Sequence, residues 1–227
     1  MRITSLLLTI RMRQCVVGLF AAAIFNGLAH TSLAIPLAVG ATVFSAGEPD
    51  PLGGAVIAGG VPVPFVAATF TGTLTSSVIL GDTTNPFGAG ALTFTYLIKN
   101  DAGSPHAIGR LTVDDFSTFL TDVNFQTPAG GVAPAFFDRS GGAGDVIGFT
   151  FFGAPVGGGQ IPAGGSSALL VVQTNSRVYS PTLASVIDGS VASVASYAPI
   201  PEPSSVVLCG FGLIGLLAIC WRRTTRR

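Results

Sequence analysis

Few side chains in the 227 residues have the chemistry to act as nucleophile, base or ligand. The three cysteines are Cys15, Cys209 and Cys220, so residues 35–200 hold no thiol nucleophile, no disulfide and no cysteine-bound metal. Of the two histidines, His30 and His106, only His106 lies in that stretch, in the turn Ser104-Pro105-His106. One histidine suffices for a Ser–His–Asp triad, but no Gly-x-Ser-x-Gly elbow accompanies it. A zinc site of several histidines is excluded.

Carboxylates offer two further candidates. Asp114 and Asp115 close the run Arg110-Leu111-Thr112-Val113, with Asp122 seven residues beyond Asp115. Neighbours on a strand point to opposite faces, so the pair cannot line one cleft without a bulge, and solvated or turn-capping acids at a strand end are the expectation. The second candidate is Asp138-Arg139-Ser140-Gly141-Gly142-Ala143-Gly144-Asp145. Its carboxylates, Asp138 and Asp145, and its carbonyls suit a hard cation such as calcium. The alternate-acid spacing of a calcium loop is missing, so an ion pair or hairpin turn is the favoured reading. Glycine-rich stretches at 53–60 and 157–165 lack the lysine and the strand-to-helix context of a phosphate loop, and read as turn-forming loops. No catalytic residue and no cofactor is expected.

The elements that must position these residues have strand periodicity. Val66 to Leu80 alternates Val66, Ala68, Phe70, Gly72, Leu74, Ser76, Val78, Leu80 against Ala67, Thr69, Thr71, Thr73, Thr75, Ser77. That is a half-buried antiparallel strand with threonines on its wet side. Leu92, Phe94, Tyr96 and Ile98 repeat it against Thr93 and Thr95, and further runs stand at 37–44, 110–116, 120–125, 146–152, 168–174 and 190–197. Ala168-Leu169-Leu170-Val171-Val172 is apolar on both faces and reads as a central strand. Short strands separated by Gly, Pro and Asp turns predict an all-β antiparallel sandwich.

Composition narrows the class. Charged residues make up 10% against 48% hydrophobic, where about 25% charged is usual. Mean hydropathy is +0.65, too high for ordinary disorder. Eleven basic and eleven acidic residues cancel overall, but residues 35–221 hold four basic residues against all eleven acids. An acidic body between basic ends excludes nucleic acid as a partner and points instead to membrane topology.

The first end reads as a signal peptide. Arg11 and Arg13 precede an apolar run from Val16 to Leu28, and Ser32 and Ala34 are small residues at −3 and −1. Cleavage is expected after Ala34; the alternative is an anchor that stays in place. Arg13 ahead of Cys15 excludes a lipoprotein signal. At the other end, Val206 to Trp221 is an uncharged run. As a helix it spans about 24 Å, short of a hydrocarbon core of about 30 Å, and Gly210, Gly212 and Gly215 weaken it. Arg222, Arg223, Arg226 and Arg227 follow and favour the cytoplasmic side. Ahead of it, Pro201-Glu202-Pro203-Ser204 can continue neither strand nor helix.

This end resembles the PEP-CTERM sorting signal. The matching residues are Pro201, Glu202, Pro203 and Ser204, the glycine-containing run from Val206, and the cluster Arg222, Arg223, Arg226 and Arg227. Cys209 and Cys220 depart from the usual pattern. The resemblance implies exosortase as the partner, a membrane-embedded cysteine protease or transpeptidase that cuts near the motif. It also implies an inner-membrane-anchored precursor held through residues 206–221, then release to the surface or matrix of an exopolysaccharide-producing Gram-negative bacterium. The whole therefore reads as a signal peptide at 1–34, an exported sandwich body at 35–200 and a sorting signal at 201–227. The sandwich is expected between an N-terminal signal helix and a C-terminal transmembrane helix.

The expected function is non-enzymatic, associated with exopolysaccharide or biofilm. The alternative is a carbohydrate-binding or calcium-dependent adhesion module. Against it, the body offers only Tyr96, Tyr179 and Tyr197 beside its phenylalanines, and the sole tryptophan, Trp221, ends the apolar run. A hydrolase with paired carboxylates needs two acids on facing positions, which the spacing of Asp114 and Asp115 does not give.

Overall fold

The computed structural model describes residues 37–45, 53–126, 131–153 and 159–200; the expected signal peptide, its cleavage site at Ala34, and the whole sorting tail lie outside them. Eleven strands are formed: β1 (Thr42–Phe44), β2 (Ala55–Val66), β3 (Thr71–Leu80), β4 (Leu92–Asn100), β5 (Arg110–Val113), β6 (Thr121–Gln126), β7 (Phe136–Arg139), β8 (Ile147–Thr150), β9 (Leu169–Thr174), β10 (Tyr179–Asp188) and β11 (Ser190–Pro199). One sheet runs β1-β7-β8-β5-β10-β11 and the other β2-β3-β4-β9-β6. The strand pairs are antiparallel throughout. The protein is the expected antiparallel sandwich. Among the described residues no helix is long and apolar enough to cross a membrane.

The core lies where the inward rows of the two sheets meet. Phe94, Tyr96, Ile98, Leu170, Val172 and Val123 face Leu111, Val113, Phe137, Phe149, Ala184 and Val186, all fully buried. Rings interlock edge to face, with Phe94–Phe116 centroids 5.9 Å apart and Phe137–Phe149 5.8 Å apart, each pair contributing about 0.5–1.5 kcal/mol beyond its buried area. Tyr96 is buried among them, yet its hydroxyl donates to the Tyr197 carbonyl at 2.8 Å. That bond ties the middle of one sheet to the edge strand of the other. Ser76 reinforces the seam, bonding Ser196 Oγ and the Tyr197 N–H.

Several expectations are corrected. Val66 to Leu80 is two strands with a reversal between them, closed by the Ala67 N–H on the Phe70 carbonyl at 2.9 Å. Thr69 sits in that reversal and bonds Ser190 Oγ and the Asp188 carbonyl, so a polar contact to the β10–β11 turn overrides the period-two pattern. The glycine-rich 53–60 stretch is a loop only at its start; most of it enters β2, the longest strand. Gly59 and Gly60 both have positive φ at a register shift there, and a Cβ on Gly59 would stand 2.0 Å from the Ser76 carbonyl oxygen. Thr93 and Thr95, expected on the wet face, are buried. Neither β7 nor β10 stands out in the sequence. In β10 the inward residues are Ala184 and Val186 alone, too few for a visible alternation. Its Pro181 is tolerated because β5 pairs only with residues 184–187 and leaves that flank of the strand open. The segment 168–174 becomes β9, held between β4 and β6.

Candidate functional site

Main-chain pairing of the body continues up to Ile200, the residue before Pro201 of the sorting motif in sequence. β11 pairs with β10 along its whole length, from Asp188–Ser190 to Tyr179–Pro199. Ala198 is fully buried, and the Ile200 N–H then donates to the Val178 carbonyl at 3.1 Å. Pro201 follows directly on the last main-chain bond of the sheet. Pro201, Glu202, Pro203, Ser204 and the arginines 222, 223, 226 and 227 lie outside the described residues, as do Ser32 and Ala34.

Several polar side chains of the body, Asp82, Asp138 and Arg139 among them, are engaged in the fold. The exposed His106 ring lies with Nδ1 3.7 Å from an Asp188 oxygen, beyond hydrogen-bond reach. The nearby Ser104 hydroxyl donates to the His106 main-chain carbonyl, not to its ring. No triad is assembled there. Asp138 does not stand free for a cation: Arg110 grips it in a two-pronged bond, 2.6 Å to Oδ1 and 2.7 Å to Oδ2, and also bonds Thr150 Oγ1. The guanidinium lies across β8 over Gly148, where a Cβ would approach Arg110 Nη2 to 2.1 Å. Asp138 is thus ion-paired, and its partner Arg110 lies on β5, outside the segment 138–145.

Asp114 and Asp115 follow the end of β5, and Asp115 adopts a left-handed backbone with φ 72°. Asp115 accepts a bond from Thr182 Oγ1. Burial raises the Asp114 carboxyl above its ordinary value, and the neighbouring charges of Asp115 and Asp145 raise it further. The fold thus draws Asp145 toward Asp114, a proximity that the sequence spacing hides. Asp122 lies apart on β6 and is buried. Among the described residues no group of three or more His, Cys, Asp or Glu is arranged to hold a metal.

Two buried ions were not foreseen. Arg139 is 5% exposed, and its partners among the described residues are neutral oxygens. Nε donates to the Gly144 carbonyl, Nη1 to the Leu37 carbonyl and Thr121 Oγ1, and Nη2 to the Phe116 and Phe119 carbonyls. Desolvation lowers its pKa. One side chain so joins the first described residue, the β5–β6 loop and the β7–β8 hairpin. Asp82, fully buried in the β3–β4 connection, is its acidic counterpart. Burial pushes its carboxyl up, but bonds from Gln173, Thr84 and Thr93 side chains and the Thr84 N–H outweigh this and hold it below its ordinary value. The Gly53 N–H adds a further donor at 3.2 Å. The only local signal was an aspartate two residues before a threonine, the pattern of an Asx turn.

These features define a class: a β-sandwich whose polar groups stabilise it, ending without a spacer in a proline-rich, apolar and then arginine-rich tail. Residues 199–227 match the family model of the PEP-CTERM protein-sorting motif. The chain carries this sorting motif at its C-terminal end, and the motif implies exosortase processing of a membrane-anchored precursor that is exported. No curated protein and no solved structure matches the chain.

Proposed function

We propose that the body is a non-enzymatic sandwich that exosortase delivers to the cell surface or extracellular matrix of a Gram-negative bacterium, where it associates with exopolysaccharide. The observation that carries this reading is the engagement of Asp82, Asp138 and Arg139 within the fold, together with a His106 ring that bonds no hydroxyl among the described residues. A Ser–His–Asp mechanism needs a base aligned with a nucleophile, and His106 forms no such pair with a described hydroxyl. A low-charge surface suits close association with polysaccharide, because few ions must be desolvated. The test is an internally tagged chain expressed with and without exosortase, followed by fractionation. Extracellular fractions are then passed over exopolysaccharide from the producing cells. Exosortase-dependent release with retention on the polysaccharide is the expected result. Release without retention overturns the polysaccharide role, and retention only with calcium returns the body to the adhesion class.

A further inference from the structure

The strand registers place both exits of the body at one end. Pairing of Tyr179 with Pro199 puts the start of β10 beside the end of β11. Pairing of Ala184 with Val113, Val113 with Ile147, Ile147 with Arg139 and Asp138 with Thr42 carries that same end across the sheet to β1. Leu37 is fixed there, its N–H on the Thr121 carbonyl and its carbonyl on Arg139. Leu37 and Ile200 thus leave from the same end, beside opposite edge strands of the six-stranded sheet. Five strand spacings separate those edges, about 24 Å.

Five residues, 201–205, lie between Ile200 and the apolar run starting at Val206. Fully extended, that connection reaches at most about 22 Å. The strands β10 and β11 have ten residues each, about 33 Å. The opposite end of the sandwich, with Asp101 and the β10–β11 turn, therefore stands too far to be the one held at the bilayer.

The near end also has the surface for it. Val39, Leu120 and Val178 are exposed on it. An apolar cleft of about 500 Å³ opens there, lined by Leu37, Val39, Phe119, Leu120 and Ala143. Among the described residues, the charges not buried at this end are Asp114, Asp115 and Asp145 against Arg177, while Asp82, Asp122 and Arg139 there are buried. Such a balance gives no attraction to anionic headgroups, so chain reach and apolar contact do the orienting.

We infer that this end, with Val39, Leu120 and Val178 at its surface, lies against the lipid bilayer in the precursor. The inference rests on the exosortase-sorted reading, with residues 206–221 in the membrane. The test uses the full chain with Cys15, Cys209 and Cys220 each changed to alanine, reconstituted in phosphatidylcholine–phosphatidylglycerol vesicles that carry a headgroup-linked nitroxide quencher. A fluorophore is attached in turn at Leu120→Cys, Val178→Cys and Asp101→Cys. Labels at 120 and 178 should be quenched several-fold more than the label at 101, with little change on adding salt. A twenty-residue Gly/Ser insert between Ile200 and Pro201 should reduce the difference. Equal quenching at all three sites in chains that float with the vesicles overturns the inference and leaves the sorting reading intact. Chains that do not float at all overturn the membrane-inserted reading, and this inference with it.

Discussion

Arg139 and Asp82 are buried ions with no counter-ion among the described residues, each solvated by the fold in place of water. The cost of such burial is offset only while every donor and acceptor is engaged. Arg139→Met would remove the side-chain donor to the Gly144 and Phe119 carbonyls and one of the two donors to those of Leu37 and Phe116. Urea unfolding should show a loss of about 3 kcal/mol or more, with partial recovery in Arg139→Lys. Asp82 predicts a pH effect with a definite sign. Its folded pKa is lowered, so its stabilisation is present above the ordinary carboxylate value of about 3.9 and is lost as pH falls through the lower, folded value. Thermal melts of the wild type should fall steeply below about pH 4. Asp82→Asn should be less stable at pH 7 and show a shallower acid limb. A wild-type and variant limb of equal slope would remove Asp82 from that role. Neither ion was legible in the sequence, because the partners of Arg139 lie up to 102 residues away and those of Asp82 up to 91. The local string around each is an ordinary turn.

Strands were legible in proportion to how fully their alternation was apolar. β4 could be read directly, since Leu92, Phe94, Tyr96 and Ile98 all enter the core. β2 could not, because its exposed edge position removes the need for an apolar face: Val56, Ile57, Val61 and Val66 all point to solvent. Such an edge is a template for association. Pro62 and Pro64 stand two residues apart on it and withhold two N–H donors, while the Gly59-Gly60 shift breaks its flatness. Replacing both prolines with valine should therefore promote self-association at high concentration, measured by light scattering, with the folded far-UV spectrum retained. A double variant as monodisperse as the wild type would show that the edge is protected by something else.

At the scale of the molecule, the sandwich class and the three-part tail were both legible, the first from periodicity and the second from order and flanking charge. The registers that bring two exits to one end were not, since antiparallel topology is fixed by pairings no local pattern encodes. Processing should leave a body that keeps β11 entire: mass analysis of the released form should find Ile200 present and Val206 to Arg227 absent. Released protein that still ends in Arg226-Arg227 would overturn the sorting reading. The same form has no cysteine once residues 1–34 and the tail are gone, so reductant should leave its melting temperature unchanged.

The ten-pair register of β10 with β11 has a mechanical meaning for a protein held by its C-terminus. A pull on Ile200, resisted by matrix at the far end of the sandwich, acts along β11 and not across it. The ladder between the two strands is then loaded in shear, and its bonds must yield together and not one after another as in an unzipping hairpin. The Tyr96 hydroxyl and Ser76, gripping β11 at Tyr197 from the facing sheet, share that load. The last strand of the body is thus held by its neighbour along its whole length, at the point where the tether begins.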